Sequence, residues 1–346
     1  MTSREPRPPA PLAGLLVLDL STLLPGPLAG LMLARAGARV VKIERPGGEE
    51  MRRFPPRHAT GSTSHDLLNA GKEIVEIDLK APSGRDRLLE LVERADILIE
   101  QFRPGVMDRL GLGAATLLAR NPRLIVCSIT GYGQDGPRAG EAGHDLNYQA
   151  LAGLLGPAAA DPPALVADIA GGSFSAVINI LLALRQRDAT GLGQHLDIAM
   201  TDALFTFGWM AFAERANNQA PVPAGQGLLT GGSARYRIYA TQDKQGLAVA
   251  ALEAKFWDSF CDAIELPEPL RDDRQDPQAT LMAVARLLAR QDAAHWREVF
   301  AARDCCVTLV RDVETALSDP HFAARLEAAG GAEGDLPLPL APALRA

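Results

Sequence analysis

The chain has 346 residues, 47% of them apolar and 22% charged, with a formal net charge of −7. That length accommodates two domains of ordinary globular composition. The acidic balance argues against nucleic acid as a general partner, because phosphate binding needs a basic surface.

Uninterrupted apolar runs fall far short of the roughly 20 residues of a membrane helix, so no membrane span is expected. Cys127, Cys261, Cys305 and Cys306 have no C-x-x-C spacing, which fits a reducing cytoplasm better than a disulfide framework. Residues 1–11 are polar and proline-rich and read as a disordered lead-in rather than a signal peptide or anchor. Residues 15–20 form a compact apolar run of the kind found in a strand covered on both faces. A loop with Pro25, Gly26 and Pro27 follows, then a helix to Ala36 and a second strand at 39–43, which together read as a βαβ unit. The dinucleotide fingerprint G-x-G-x-x-G is absent, since Pro27, Leu28 and Ala29 separate Gly26 from Gly30, and no nicotinamide cofactor is expected.

The polar segment 46–65 reads as mobile. Strand 73–79, helix 83–94 with Ser83 as N-cap, strand 96–100, helical turns over 106–120 and strand 124–128 continue the alternation. This order predicts an α/β fold with a doubly wound, mostly parallel sheet. Its ligands belong at the carboxyl ends of the strands, where loops 102–105 and 131–143 emerge. Residues 174–184 read as a buried helix, 194–198 as a strand and 201–213 as one apolar helix.

Residues 217–232 are rich in Asn, Gly and Pro. A hairpin of 235–240 and 247–251 around the turn 243–246, helices 254–263, 277–290 and 293–301, and a short strand 307–310 predict a small α+β domain. The expected organisation is a large domain of residues 1–214 rejoined by the tail 319–346, a linker 215–232, and a small domain 233–318.

Two polar sites bracket a glycine-, alanine- and proline-rich loop. Ala142-Gly-His-Asp-Leu-Asn-Tyr148 offers an imidazole, His144, and Leu165-Val-Ala-Asp-Ile-Ala-Gly-Gly-Ser173 offers a carboxylate, Asp168, just ahead of a Gly-Gly helix start. Facing each other across a pocket, the two could act as acid and base on opposite faces of one carbon, with backbone N–H groups near Asp168 holding an oxyanion. The plainer alternative is a structural histidine and an aspartate that only caps a helix. Asp145 could orient or charge-stabilise the imidazole, or be an exposed N-cap. His58 and His65 fall in the mobile segment, and no His/Cys/Asp/Glu cluster has metal-ligand spacing, so no metal is expected.

Gly-His-Asp-x-Asn-Tyr followed by Asp-x-x-Gly-Gly-Ser resembles the α-methylacyl-CoA racemase branch of the family III CoA-transferases (the CaiB/BaiF superfamily). The resemblance extends to Leu24-Pro-Gly-Pro-Leu-Ala-Gly30, Gly37-Ala-Arg-Val-Val-Lys-Ile-Glu-Arg-Pro46, Phe102-Arg-Pro-Gly-Val106 and Thr190-Gly-Leu-Gly-Gln194. It implies a Rossmann-like large domain and a racemase or epimerase of 2-methyl-branched acyl-CoA thioesters, working by two-base 1,1-proton transfer through an enolate. The alternative it implies is a CoA-transferase with Asp168 as covalent nucleophile.

The resemblance further implies His144 and Asp168 as the acid/base pair and Glu253 as a carboxylate near the histidine. It places Lys42, Lys72 and Arg103 on the nucleotide part of coenzyme A. No prosthetic group is implied, coenzyme A being part of the substrate, and the assembly implied is an interlocked homodimer. The chain departs from the racemase pattern at Thr230, Ala254 and Leu309, where the family usually carries aspartate, proline and proline. Thr230 and Leu309 bear on the acyl pocket more than on the acid/base pair, whereas Ala254 bears on the reading of Glu253.

Overall fold

The computed structural model describes residues 10–155, 162–223, 225–328, 336–341 and 344. The lead-in expected over 1–11 lies almost wholly outside them. Two compact units result, one reaching to Trp209 and including the C-terminal stretch from Ala324, the other Met210–Ala323. The segment 210–232, set apart as helix end and linker in the sequence, therefore groups with the second unit.

The first unit is built on six parallel strands, β1 (Leu16–Asp19), β2 (Arg39–Glu44), β3 (Glu73–Glu76), β4 (Ile97–Glu100), β5 (Ile125–Thr130) and β6 (Gln194–Ala199). Their order across the sheet is β3-β2-β1-β4-β5-β6. The chain thus winds outward in one direction from β1 and in the other from β4, leaving a crevice between the two at their carboxyl ends.

Alternation along each strand feeds two cores. Val17, Ile97, Ile99, Ile125 and Cys127 face Ala29, Met32 and Leu33 of the helix Pro25–Arg35 and Val177, Ile180 and Leu184 of the helix Ser175–Thr190. Leu18, Val41, Leu98 and Val126 face the opposite layer of Leu88, Val92, Leu112 and Leu117. In the second unit Tyr236–Ala240, Gly246–Ala250 and Val307–Leu309 form an antiparallel sheet, with Gly246–Ala250 central. Its core is stacked from Trp257, Phe260, Trp296 and Phe300.

Several sequence expectations are corrected. The helix Pro25–Arg35 takes in the Pro-Gly-Pro run, because proline fits a first turn, where its missing N–H is not needed. The helix Pro82–Val92 starts on Pro82, and Ser83 is not its cap. Segment 46–65 is ordered: it carries a 3-10 turn Glu50–Arg53 and a short hairpin, and buries Glu49, Ser62 and His65. The stretch 201–213 is broken into Met200–Leu204 and Trp209–Ala216.

Ala167–Thr190 is, among the described residues, the one helix long and apolar enough to cross a membrane by composition, and half of that window is buried, as in a core helix. Its outer face is not buried as expected, for Ile178, Leu181 and Leu182 are exposed.

Candidate active site

A cavity of about 460 Å³ opens at the carboxyl ends of the strands. Thr22, Leu23 and Pro25 after β1, Gln101 to Pro104 after β4, Gly131 and Tyr132 after β5, and Met200 after β6 line it. His144, Asn147, Tyr148 and Asp168 complete the wall. The structure thus brings together the imidazole and carboxylate singled out in the sequence.

The Gly-His-Asp-x-Asn-Tyr motif is a local scaffold for His144. His144 is the N-cap of the helix Asp145–Leu151, and its backbone N–H donates to Asn147 Oδ1 at 3.0 Å. The Tyr148 hydroxyl donates to the Gly143 carbonyl at 2.6 Å, closing the turn ahead of the histidine. His144 itself is exposed on the cavity rim.

Asp145 is buried, not an exposed cap, and it serves the second acid rather than the imidazole. Its Oδ1 accepts the Asp168 backbone N–H at 2.9 Å, and its Oδ2 accepts from Gln149 Nε2 at 2.5 Å.

Asp168 does not precede a helix start. It lies within a π-helical turn, Ala167–Phe174, that runs straight into the helix Ser175–Thr190. Gly171 and Gly172 serve close packing: a Cβ on Gly171 would stand 2.4 Å from the Met200 carbonyl oxygen, and one on Gly172 would stand 2.7 Å from Pro25 Cβ.

Burial and the neighbouring Asp145 charge push the Asp168 carboxyl up to about 6, against the lowering effect of His144. Of the backbone N–H groups near Asp168 expected to hold an oxyanion, that of Asp168 itself is already donated to Asp145. Asp145→Asn keeps an acceptor for that N–H but removes the charge, so Asp168 is expected to titrate below 6. The acidic limb of the pH–rate profile should move down with it, and an unmoved limb would mean that burial alone sets the value.

Lys42 and Lys72 are placed differently from the expectation. Both side chains are fully buried, and neither lines the cavity that holds Asp168. Lys42 donates to the Ser21 carbonyl and stands 3.4 Å from Glu49 and 3.8 Å from Asp19. Lys72 donates to Asp19 Oδ2 at 2.9 Å, the Pro27 carbonyl at 2.8 Å and Asn69 Oδ1 at 3.0 Å. Burial would raise the Asp19 carboxyl, but Lys72, Lys42 and the Ser21 hydroxyl together hold it down at about 2.

With those partners neither ammonium is available to a ligand. They fix the loop after β1 instead, helped by Glu49, whose Oε2 accepts the Leu23 N–H at 2.8 Å. Gly30 in the Pro-Gly-Pro-Leu-Ala-Gly motif leaves room for this pair, since a Cβ there would come 2.8 Å from Asp19 Oδ2.

One cluster of metal-ligand spacing also appears, contrary to the sequence reading: Glu44, Glu49 and His65, all buried. Its carboxylates are already met by Arg52, which donates to Glu44 Oε2 at 2.6 Å, and by Lys42.

Cations that line cavities at the strand ends are Arg103, exposed in the main one, and Arg45 and Lys80. The latter two line an adjoining cavity of about 370 Å³ that shares Thr22 and Phe102 with the first. Arg45 and Lys80 escaped sequence reasoning because only the strand-end geometry distinguishes them from surface charges. Glu253 lies in the second unit, exposed at the N-cap of the helix Ala254–Ala263.

The family profile described as CoA-transferase family III matches residues 12–341. The chain belongs to CoA-transferase family III. It is 35% identical to human α-methylacyl-CoA racemase over 323 residues, covering 90% of this chain and 80% of the human protein. It is equally 35% identical to acetyl-CoA:oxalate CoA-transferase of Acetobacter aceti over 346 residues, covering 94% of this chain and 87% of that enzyme. The crystal structure of a CaiB/BaiF family protein from Brucella suis superposes with a TM-score of 0.78 at 29% identity, covering 91% of this chain and 88% of that one. Family III membership makes the chain an enzyme related to acyl-CoA chemistry, with racemases and CoA-transferases both among its relatives.

Proposed function

We propose that this family III enzyme is a racemase or epimerase of 2-methyl-branched acyl-CoA thioesters. Cα sits between His144 and Asp168; one removes its proton, and the other returns a proton to the opposite face through an enolate. The observation that carries this reading is the Asp168 carboxyl, raised to about 6 in the cavity that His144 also lines. A carboxylic acid of that strength holds and releases a proton near neutrality, as a reversible two-base reaction requires.

Because the Asp168 N–H is engaged with Asp145, it is not the group proposed to hold the enolate oxygen. No prosthetic group enters this chemistry; coenzyme A enters with the substrate, and its binding positions the acyl group. Arg103 in the main cavity and Arg45 and Lys80 in the adjoining one are the cations proposed for its phosphates.

The assembly proposed is the interlocked homodimer. A second copy covers the exposed Ile178, Leu181 and Leu182, and its Glu253 accepts an imidazole N–H of His144.

The test is to follow the configuration of an enantiopure 2-methylacyl-CoA by chiral separation. Conversion of either enantiomer to a mixture is expected. Retained configuration, with coenzyme A moved to an added carboxylic acid, would instead favour the transferase reading. That reading also has specific support, in a carboxylate still ionised at neutral pH and in the likeness to the oxalate CoA-transferase.

A further inference from the structure

We propose that Glu100, buried at the end of β4 with Ser128 and His195 beside it, is a positioning residue that sets Arg103 for its ligand. The inference rests on the reading of Arg103 as a coenzyme A contact.

A separate cavity of about 450 Å³ lies on the opposite face of the sheet and is lined by Glu100, Ser128 and His195 together with Gln134 and Arg103. Glu100 ends β4 and is paired in register with Ser128, and His195 is paired with Val126, which sets the three side chains on one face. Ser128 Oγ is 2.9 Å from His195 Nε2, and Ser128 is the cross-strand neighbour of Glu100, whose carboxyl is pushed up by burial against the lowering effect of the Ser128 hydroxyl.

Glu100 is only 3% exposed, a costly place for a carboxylate, yet it touches neither His144 nor Asp168. Its Oε2 accepts the Phe102 backbone N–H at 2.8 Å. Phe102 opens the loop Phe102-Arg103-Pro104-Gly105, and Arg103 lines both this cavity and the one holding Asp168. A buried acceptor anchored from behind by Ser128 and His195 therefore sets the backbone from which the guanidinium extends.

Calorimetric titration of coenzyme A onto wild type, Arg103→Ala, Glu100→Leu and the double variant tests this. Arg103→Ala is expected to raise Kd about tenfold, and Glu100→Leu nearly as much, as for loss of a well-made hydrogen bond to a charged group. In the double variant Glu100→Leu should add nothing to Arg103→Ala. Glu100→Gln, which keeps an oxygen for the Phe102 N–H, should recover most of the affinity. Ser128→Ala, a milder change should Glu100→Leu not fold, is expected to weaken binding about threefold in the wild-type background and not at all beside Arg103→Ala.

Equal losses from the Glu100 or Ser128 changes with and without Arg103, or no loss from either, would overturn the positioning role while leaving Arg103 as a contact. An unchanged Kd for Arg103→Ala alone would overturn both.

Discussion

His144→Ala and Asp168→Asn are each expected to lower racemisation of a 2-methylacyl-CoA by about 10²–10⁴-fold, the usual contribution of a positioned acid or base. Both groups act in every turnover, one as acid and one as base, so neither variant should favour one enantiomer as product. Coenzyme A affinity should change little, because the cations proposed for the phosphates stand elsewhere in the cavities, and the loss should fall on kcat. Stopped chiral assays with both enantiomers check this. If Asp168→Asn were inactive and His144→Ala retained full activity, the carboxylate would be acting alone, as a nucleophile does, and the two-base account would fail.

The second large effect expected is on stability. Lys42→Met removes the cation facing Asp19 and Glu49 in a site where all three side chains are essentially inaccessible. Leaving buried carboxylates short of a partner costs about 3–5 kcal/mol. By contrast, Arg39→Ala breaks the ion pair with Glu73, whose partners are 63% and 54% exposed, and is expected to leave stability nearly unchanged.

The Asp19 carboxyl sits near 2 in the folded chain, below its ordinary 3.8. Its stabilising contribution is therefore complete above the ordinary value and is lost as pH falls towards 2. Urea unfolding at neutral pH compares the two variants. A Lys42→Met protein within about 1 kcal/mol of wild type would mean that the network is hydrated and that Lys42 is open to a ligand after all.

The strand and helix succession was legible because the central strands Leu16–Asp19, Ile97–Glu100 and Ile125–Thr130 are largely apolar runs buried on both faces and most breaks carry Gly, Pro or Asn. The hairpin 235–251 and the helices Ala254–Ala263 and Ala293–Ala301 were read close to their observed bounds. The pair His144 and Asp168 was legible as chemistry, since both stand in short polar motifs beside glycine.

What escaped was burial of charge. Lys42 and Lys72 look like solvent-facing cations until the fold brings Asp19, Glu49 and the carbonyls of Ser21 and Pro27 around them. Segment 46–65 looked mobile by composition because its order comes from distant partners: His65 Nε2 lies 3.1 Å from Glu44, 21 residues away. Likewise nothing local to Asp145 reveals that its carboxylate holds the backbone of Asp168, 23 residues on. The π-helical turn follows from two close approaches, to Met200 and Pro25, that no window of sequence contains.

Deuterium incorporation at Cα of a single-enantiomer 2-methylacyl-CoA in heavy water tests the central claim most directly. The account predicts one solvent deuteron at Cα for each inversion, so that the inverted product carries deuterium from the first turnover. An enzyme that leaves Cα free of deuterium and its configuration intact, while forming a hydroxylamine-trappable anhydride or coenzyme A thioester on Asp168, would contradict it.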